Sequence, residues 1–207
     1  MPVNNPPVQF PFSQHGTPAN HTAFDATGHQ TMSGDATVWR DIDFPIIIRT
    51  TGGGIPALTT LNGSITLPQW QIGDINVCES QEFVHEWKES STCYWHIHLT
   101  TNGQNADNRY VRFSVEYGYV TPSGVWQFPA TMDSGDLLIP ANTPTKTMLA
   151  LPIGSFTPAN THIGGHAVAV LRRIASTGNS PSAEPWVAML QMHIECDSVG
   201  SREIATK

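Results

Sequence analysis

Charge is scarce in this chain. Only 13% of its 207 residues are Asp, Glu, Lys or Arg, where an ordinary globular chain carries about a quarter. That shortage excludes bundles or coiled coils built on Glu-, Lys- and Arg-rich helices. Positive charge is the rarer sign, with 10 Lys and Arg against 17 Asp and Glu and a net charge of −7. Nucleic-acid binding needs a basic footprint to displace counterions from phosphate. The one close basic pair, Arg172 and Arg173, sits among apolar residues, so no DNA or RNA partner is expected. Cysteine is scarce too. Cys78, Cys93 and Cys196 are odd in number, far apart and free of any Cys-x-x-Cys spacing. This excludes a zinc ribbon or thioredoxin-like motif and predicts buried thiols in a protein assembled in a reducing cytoplasm. Apolar runs stop after a handful of residues, so no segment is expected to span a membrane. The opening Met1-Pro-Val-Asn-Asn-Pro-Pro lacks the basic start and apolar run of a signal peptide.

Catalytic templates are missing as well. There is no Gly-x-Ser-x-Gly elbow, no phosphate-binding glycine loop and no His-Glu-x-x-His helix. Gly52-Gly53-Gly54 is followed by neither Lys-Ser/Thr nor a helix and reads as a turn. Asp133 and Asp136 flank Gly135 in an acidic turn, a solvated loop or at most a calcium loop.

What the chain has is Gly, Pro and short alternating segments. Its 17 Gly and 16 Pro suit many turns between strands. No apolar repeat of 3.6 persists. Residues 1–37 carry Pro2, Pro6, Pro7, Pro11 and Pro18 among Asn, Thr, Gly and His, which blocks helix and ladder formation. They are expected to form an extended Pro-rich arm, with Phe10, Phe12 and Phe24 as apolar anchors on a neighbouring surface, or else a disordered tail. Residues 38–207 read as one β domain. Residues 44–49, 64–67, 72–77, 83–88, 94–101, 109–120, 146–151, 166–174 and 186–197 are the expected strands. The clearest is 109–120, where Val111, Phe113, Val115, Tyr117 and Tyr119 share one face opposite Arg112, Ser114, Glu116 and Gly118. Strands at this spacing predict an all-β sandwich, jelly-roll-like in connection.

His96-Ile97-His98 is the feature that invites chemistry. On a strand both imidazoles project to one side with Tyr94 and Thr100, while Trp95, Ile97 and Leu99 face the core. Cys93 shares the Trp95 side, turned away from both imidazoles, which argues against a nucleophile–base pair. Two imidazoles on one side chelate a divalent metal when a third ligand arrives. His193 is the leading candidate, with Glu195, His85 and Glu86 behind it. The plainer alternative is that the histidines hydrogen-bond or stack. A cupin-like metal enzyme would need a carboxylate soon after the second His, and Leu-Thr-Thr-Asn-Gly follows His98 instead.

Several separated blocks also carry a resemblance. Gly28-His-Gln-Thr-Met-Ser-Gly-Asp-Ala-Thr-Val-Trp-Arg-Asp, the segment His85-Glu-Trp-Lys-Glu ahead of His96 and His98, residues 112–119, and His193-Ile-Glu-Cys-Asp-Ser-Val-Gly-Ser-Arg-Glu with terminal Lys207 together resemble a family of mostly uncharacterised virion proteins of tailed phages and prophages. The match covers most of residues 28–207; a departure is Trp95, where the family usually has Pro. The resemblance implies a β-sandwich virion component, a homotrimer standing on the capsid or in the tail. The expected function is a non-enzymatic capsid decoration or cement protein that contacts the major capsid protein on the virion surface. The alternative is a tail-fibre or spike head for host recognition, with Trp126, Trp186 and the loops at 102–108 and 176–185 as contacts.

Overall fold

The computed structural model describes residues 19–24, 30–47 and 53–200. The expected anchors Phe10 and Phe12 lie outside them. Fifteen strands are described: β1 (His21–Phe24), β2 (Gln30–Ser33), β3 (Val38–Phe44), β4 (Ile46–Ile47), β5 (Ala57–Asn62), β6 (Ile65–Gln69), β7 (Ile75–Cys78), β8 (Gln81–Glu82), β9 (Cys93–Thr100), β10 (Arg109–Val120), β11 (Met132–Asp133), β12 (Leu137–Ile139), β13 (Met148–Phe156), β14 (His166–Ile174) and β15 (Trp186–Cys196). The only helical element among the described residues is a single 3-10 turn at Gly34–Ala36.

Two antiparallel sheets pack face to face. The first runs β13–β9–β15 and continues into both β3 and the β6–β5 hairpin. In the second, β10 lies between β14 and the short β11 and β12, and β14 pairs in turn with β7 and β8. The pairs are nested along the chain. β3 joins β15, β7 joins β14, β9 joins β13 and β10 joins β12. That nesting is the jelly-roll form of the sandwich, as the strand spacing predicted.

Alternation decides the core. Val111, Phe113, Val115, Tyr117 and Tyr119 of β10 point inward, as do Trp95, Ile97 and Leu99 of β9 and Leu190, Met192, Ile194 and Cys196 of β15. Burying each large side chain is worth about 1.5–3 kcal/mol. Near the start of β15 a bulge between Val187 and Met189 shifts the register. Trp186 and Val187 are therefore both buried, which strict alternation does not allow.

Three expectations need correction. The segment 44–49 is not one strand. Pro45 cannot donate to a ladder, so β3 ends at Phe44, and Ile46 and Ile47 pair with β7 in the opposite sheet. Residues 83–88 are a turn rather than a strand. Phe83 and Trp87 are spaced one turn apart, both rings are buried with centroids 4.7 Å apart, and Trp87 N–H donates to the Val84 carbonyl at 3.0 Å. The arm is not extended over its whole length either. β1 and β2 form a hairpin beyond the last proline of the arm, Pro18, and the Met32 amide donates to the Asp197 carbonyl at 2.6 Å just past β15.

Candidate functional site

The candidate site is the outer face of the first sheet, where four neighbouring strands each contribute outward residues. The register aligns Asp41 of β3, His193 of β15, Tyr94 of β9 and Ser155 of β13 in one row. The next row holds Asp43, Gln191, His96 and Pro152. His98 and Ala150 follow in the row beyond. Pro152 is tolerated because β13 ends its sheet and a bulge follows at Gly154. Between these rows lies an open trough of about 530 Å³, lined by imidazoles and Asp41 on one side and by Ala150, Pro152 and Gly154 on the other.

Hydrogen bonds fix this face. His193 Nδ1 lies 2.7 Å from Asp41 Oδ1; a carboxylate only accepts, so this nitrogen carries the proton and leaves Nε2 as an acceptor in the neutral ring. Gln191 Nε2 donates to Asp43 Oδ1 at 2.6 Å, which turns Gln191 Oε1 toward His96 Nε2 at 3.0 Å. His96 therefore donates from Nε2, and its Nδ1 is the acceptor. Trp39 stacks flat on His193, with centroids 5.0 Å apart and planes 6° apart, and meets Tyr94 edge to face at 5.7 Å. Both aromatics remain open to solvent, Trp39 at 49% and Tyr94 at 43%. Burial pushes the His96 imidazole below its ordinary value, against the opposing pull of Asp41 and Gln191, with His98 and His193 adding to the downward push.

The three predicted histidines do come together. The His96 ring centroid is 5.3 Å from that of His98 and 6.1 Å from that of His193. The other proposed third ligands are engaged elsewhere: Glu195 with Lys88 and Thr37, Glu86 with Arg40, and His85 with Glu82. No three His, Cys, Asp or Glu side chains among the described residues gather tightly enough to ligate one ion as they stand. His96 and His193 instead use one nitrogen each on Gln191 and Asp41. The imidazoles also point away from the sandwich interior, which Trp95, Ile97 and Leu99 fill.

Other candidates resolve individually. Cys93 is buried on the far side of β9, and burial pushes its thiol up to about 12. Asp133 forms a two-point pair with Arg112 at 2.8 and 2.6 Å, while Asp136 accepts from the Thr177 and Gly178 amides. The two carboxylates are thus spent on loop closure. Trp186 is a core residue whose Nε1 donates to Thr59 Oγ1 at 2.7 Å, whereas Trp126 is exposed and stacks beside Phe128. Phe24, the one described arm anchor, is exposed on β1. Sequence reasoning missed Trp39, Asp41 and Asp43, although their alternation with Arg40, Ile42 and Phe44 was a readable signal. A scan against protein-family models finds none that matches, and neither curated proteins nor solved structures give a match.

Proposed function

We propose that this chain is a structural protein of a tailed-phage particle, a capsid decoration or cement subunit that binds the major capsid protein as a homotrimer. The observation that carries the reading is an apolar strip on the outer face of the second sheet, bordered by Glu116, Arg112 and Arg172. Val77, Val168 and Val170 line a shallow groove there, and Phe128 lies across Gly118 at its rim. Phe128 is 72% exposed and the nearby Val125 85%. A subunit that docks on neighbours buries exposed apolar side chains such as these and keeps the charged residues beside them at the rim. Scarce charge and the phage-family resemblance support the same reading. Its work is mechanical: surface buried across capsid joints resists expansion of the head.

Cryo-electron microscopy of the particle, with copies counted by mass spectrometry, tests this directly. Hundreds of copies on the icosahedral lattice are expected, and absence from the head overturns the placement. Deleting residues 1–18 removes Phe10 and Phe12 while sparing the β1–β2 hairpin, and loss of particle binding is expected. A host-recognition head is the second reading, favoured by the open Trp39 and Tyr94 rings. Specific binding of the purified protein to host cells, with only a handful of copies at the tail, would select it.

A further inference from the structure

The trough on the first sheet has more built-in order than a solvated strand face needs. Asp43 holds Gln191, Gln191 orients His96, Asp41 holds His193, and His193 carries Trp39 on its ring. These links join residues from β3, β9 and β15, and none of them is needed to close the core beneath. They leave a fixed set of free groups: the outer face of the Trp39 indole, the Tyr94 ring, and acceptor nitrogens on His96 and His193.

We propose that this trough is a binding site for a neutral glycan. A sugar ring offers an apolar C–H face and a rim of hydroxyls, and the site offers a counterpart to each. Tyr94 lines one end of the trough, the exposed Trp39 ring lies just beside it on His193, and the small outward residues Ala150, Pro152 and Ser155 keep the opposite wall low. Hydroxyl donors find the imidazole nitrogens and the remaining lone pairs of Asp41. The trough volume of about 530 Å³ lies inside the range of small-ligand sites, about 300–1,000 Å³. Charge selects the class: no Lys or Arg lines the trough, while Asp41 faces it and Asp43 lies one row behind. Carboxylated, sulfated or phosphorylated sugars are therefore repelled. Prior fixing of His96, His193 and Gln191 lowers the entropy lost on binding. The inference is independent of whether the protein sits on the head or the tail.

The test uses the full chain and a panel of neutral oligosaccharides ending in glucose, galactose, mannose or N-acetylglucosamine, beside sialylated and glucuronate-bearing counterparts. Binding is read by tryptophan fluorescence and saturation-transfer NMR. At least one neutral sugar is expected to saturate at or below millimolar concentration, with the acidic counterparts weaker. Trp39→Ala is expected to weaken it about tenfold or more, as loss of an aromatic anchor does, and Asp41→Asn several-fold. Trp126→Ala, on the opposite sheet's loop, should bind as wild type. Thermal melts of each variant separate lost binding from lost folding. Three outcomes overturn the proposal: no neutral sugar binds, Trp39→Ala binds unchanged, or sedimentation shows that Trp39→Ala dissociates an oligomer while sugars have no effect. The last assigns the face to a second copy of the chain.

Discussion

Arg173 is the most consequential buried charge in the described fold, and its removal is predicted to cost far more than removal of its partner. The side chain is 1% exposed, and Nη1 donates both to the Trp70 carbonyl and to the Glu184 carboxylate. Glu184 is 38% exposed, so water already screens that side of the pair. Breaking a fully buried pair costs about 3–5 kcal/mol. Arg173→Ala also leaves a cavity and strips the Trp70 carbonyl of its donor, so about 4 kcal/mol is expected. Glu184→Ala leaves the guanidinium its bond to Trp70 and access to water beside the vacated position, and about 1–2 kcal/mol is expected. Arg173→Met removes the charge, keeps most of the volume and frees Glu184 to solvent; it should resemble Glu184→Ala. Urea unfolding followed by tryptophan fluorescence resolves these differences. With a slope of about 2 kcal/mol/M, Arg173→Ala should lower the midpoint by about 2 M, and the other two by less than half of that. Equal losses for Arg173→Ala and Glu184→Ala would refute the asymmetry, and an unperturbed Arg173→Ala would refute the buried pair itself.

Stability should fall in two stages on acidification. The His96 pKa is depressed first by burial, so the unfolded chain takes up its proton before the folded one. The contribution is complete above the ordinary value of 6.5 and is lost as pH falls through the lower, folded value. Asp133 is held below its ordinary value by the Arg112 hydrogen bond. For Glu195, burial pushes up but Lys88 and Thr37 together prevail and hold it down. These contributions are present above the ordinary carboxylate range and vanish as pH drops through the depressed values. Urea midpoints against pH, with His96→Gln flattening only the upper stage, check this; a flat wild-type profile between about pH 7 and 5 refutes the first stage. Cys78 and Cys93, both pushed up to about 12 by burial, should resist thiol reagents until urea opens the sandwich; rapid labelling of the native protein contradicts this. Gly118→Ala sets a methyl 2.6 Å from the Phe128 ring. It should push the largely exposed Phe128 ring aside at a cost of about 0.5–1 kcal/mol and speed proteolysis in the loop at 121–131; unchanged cleavage would contradict the contact.

The amino-acid sequence by itself determined the all-β class, the inward faces of β9 and β10, and the burial of the cysteines. Each depends on side chains two apart along one strand, a relation that extended backbone enforces locally. It also placed His96 and His98 on one outward side for the same reason. Local pattern does not determine which strands become neighbours. His193 meets Asp41 from 152 residues away, and Gln191 meets Asp43 from 148; only the nested antiparallel pairing of β3 with β15 puts them in adjacent positions. The same limit explains the two arginines. Adjacent in sequence, Arg172 and Arg173 looked like one basic pair, yet strand alternation sends Arg172 outward and Arg173 into the core. The carboxylate that meets Arg173 there comes from Glu184, across the β14–β15 loop. Tertiary structure alone decided that these outward histidines lie beside His193, Trp39 and a low wall of β13, because a shared face exists only once separate strands join one sheet.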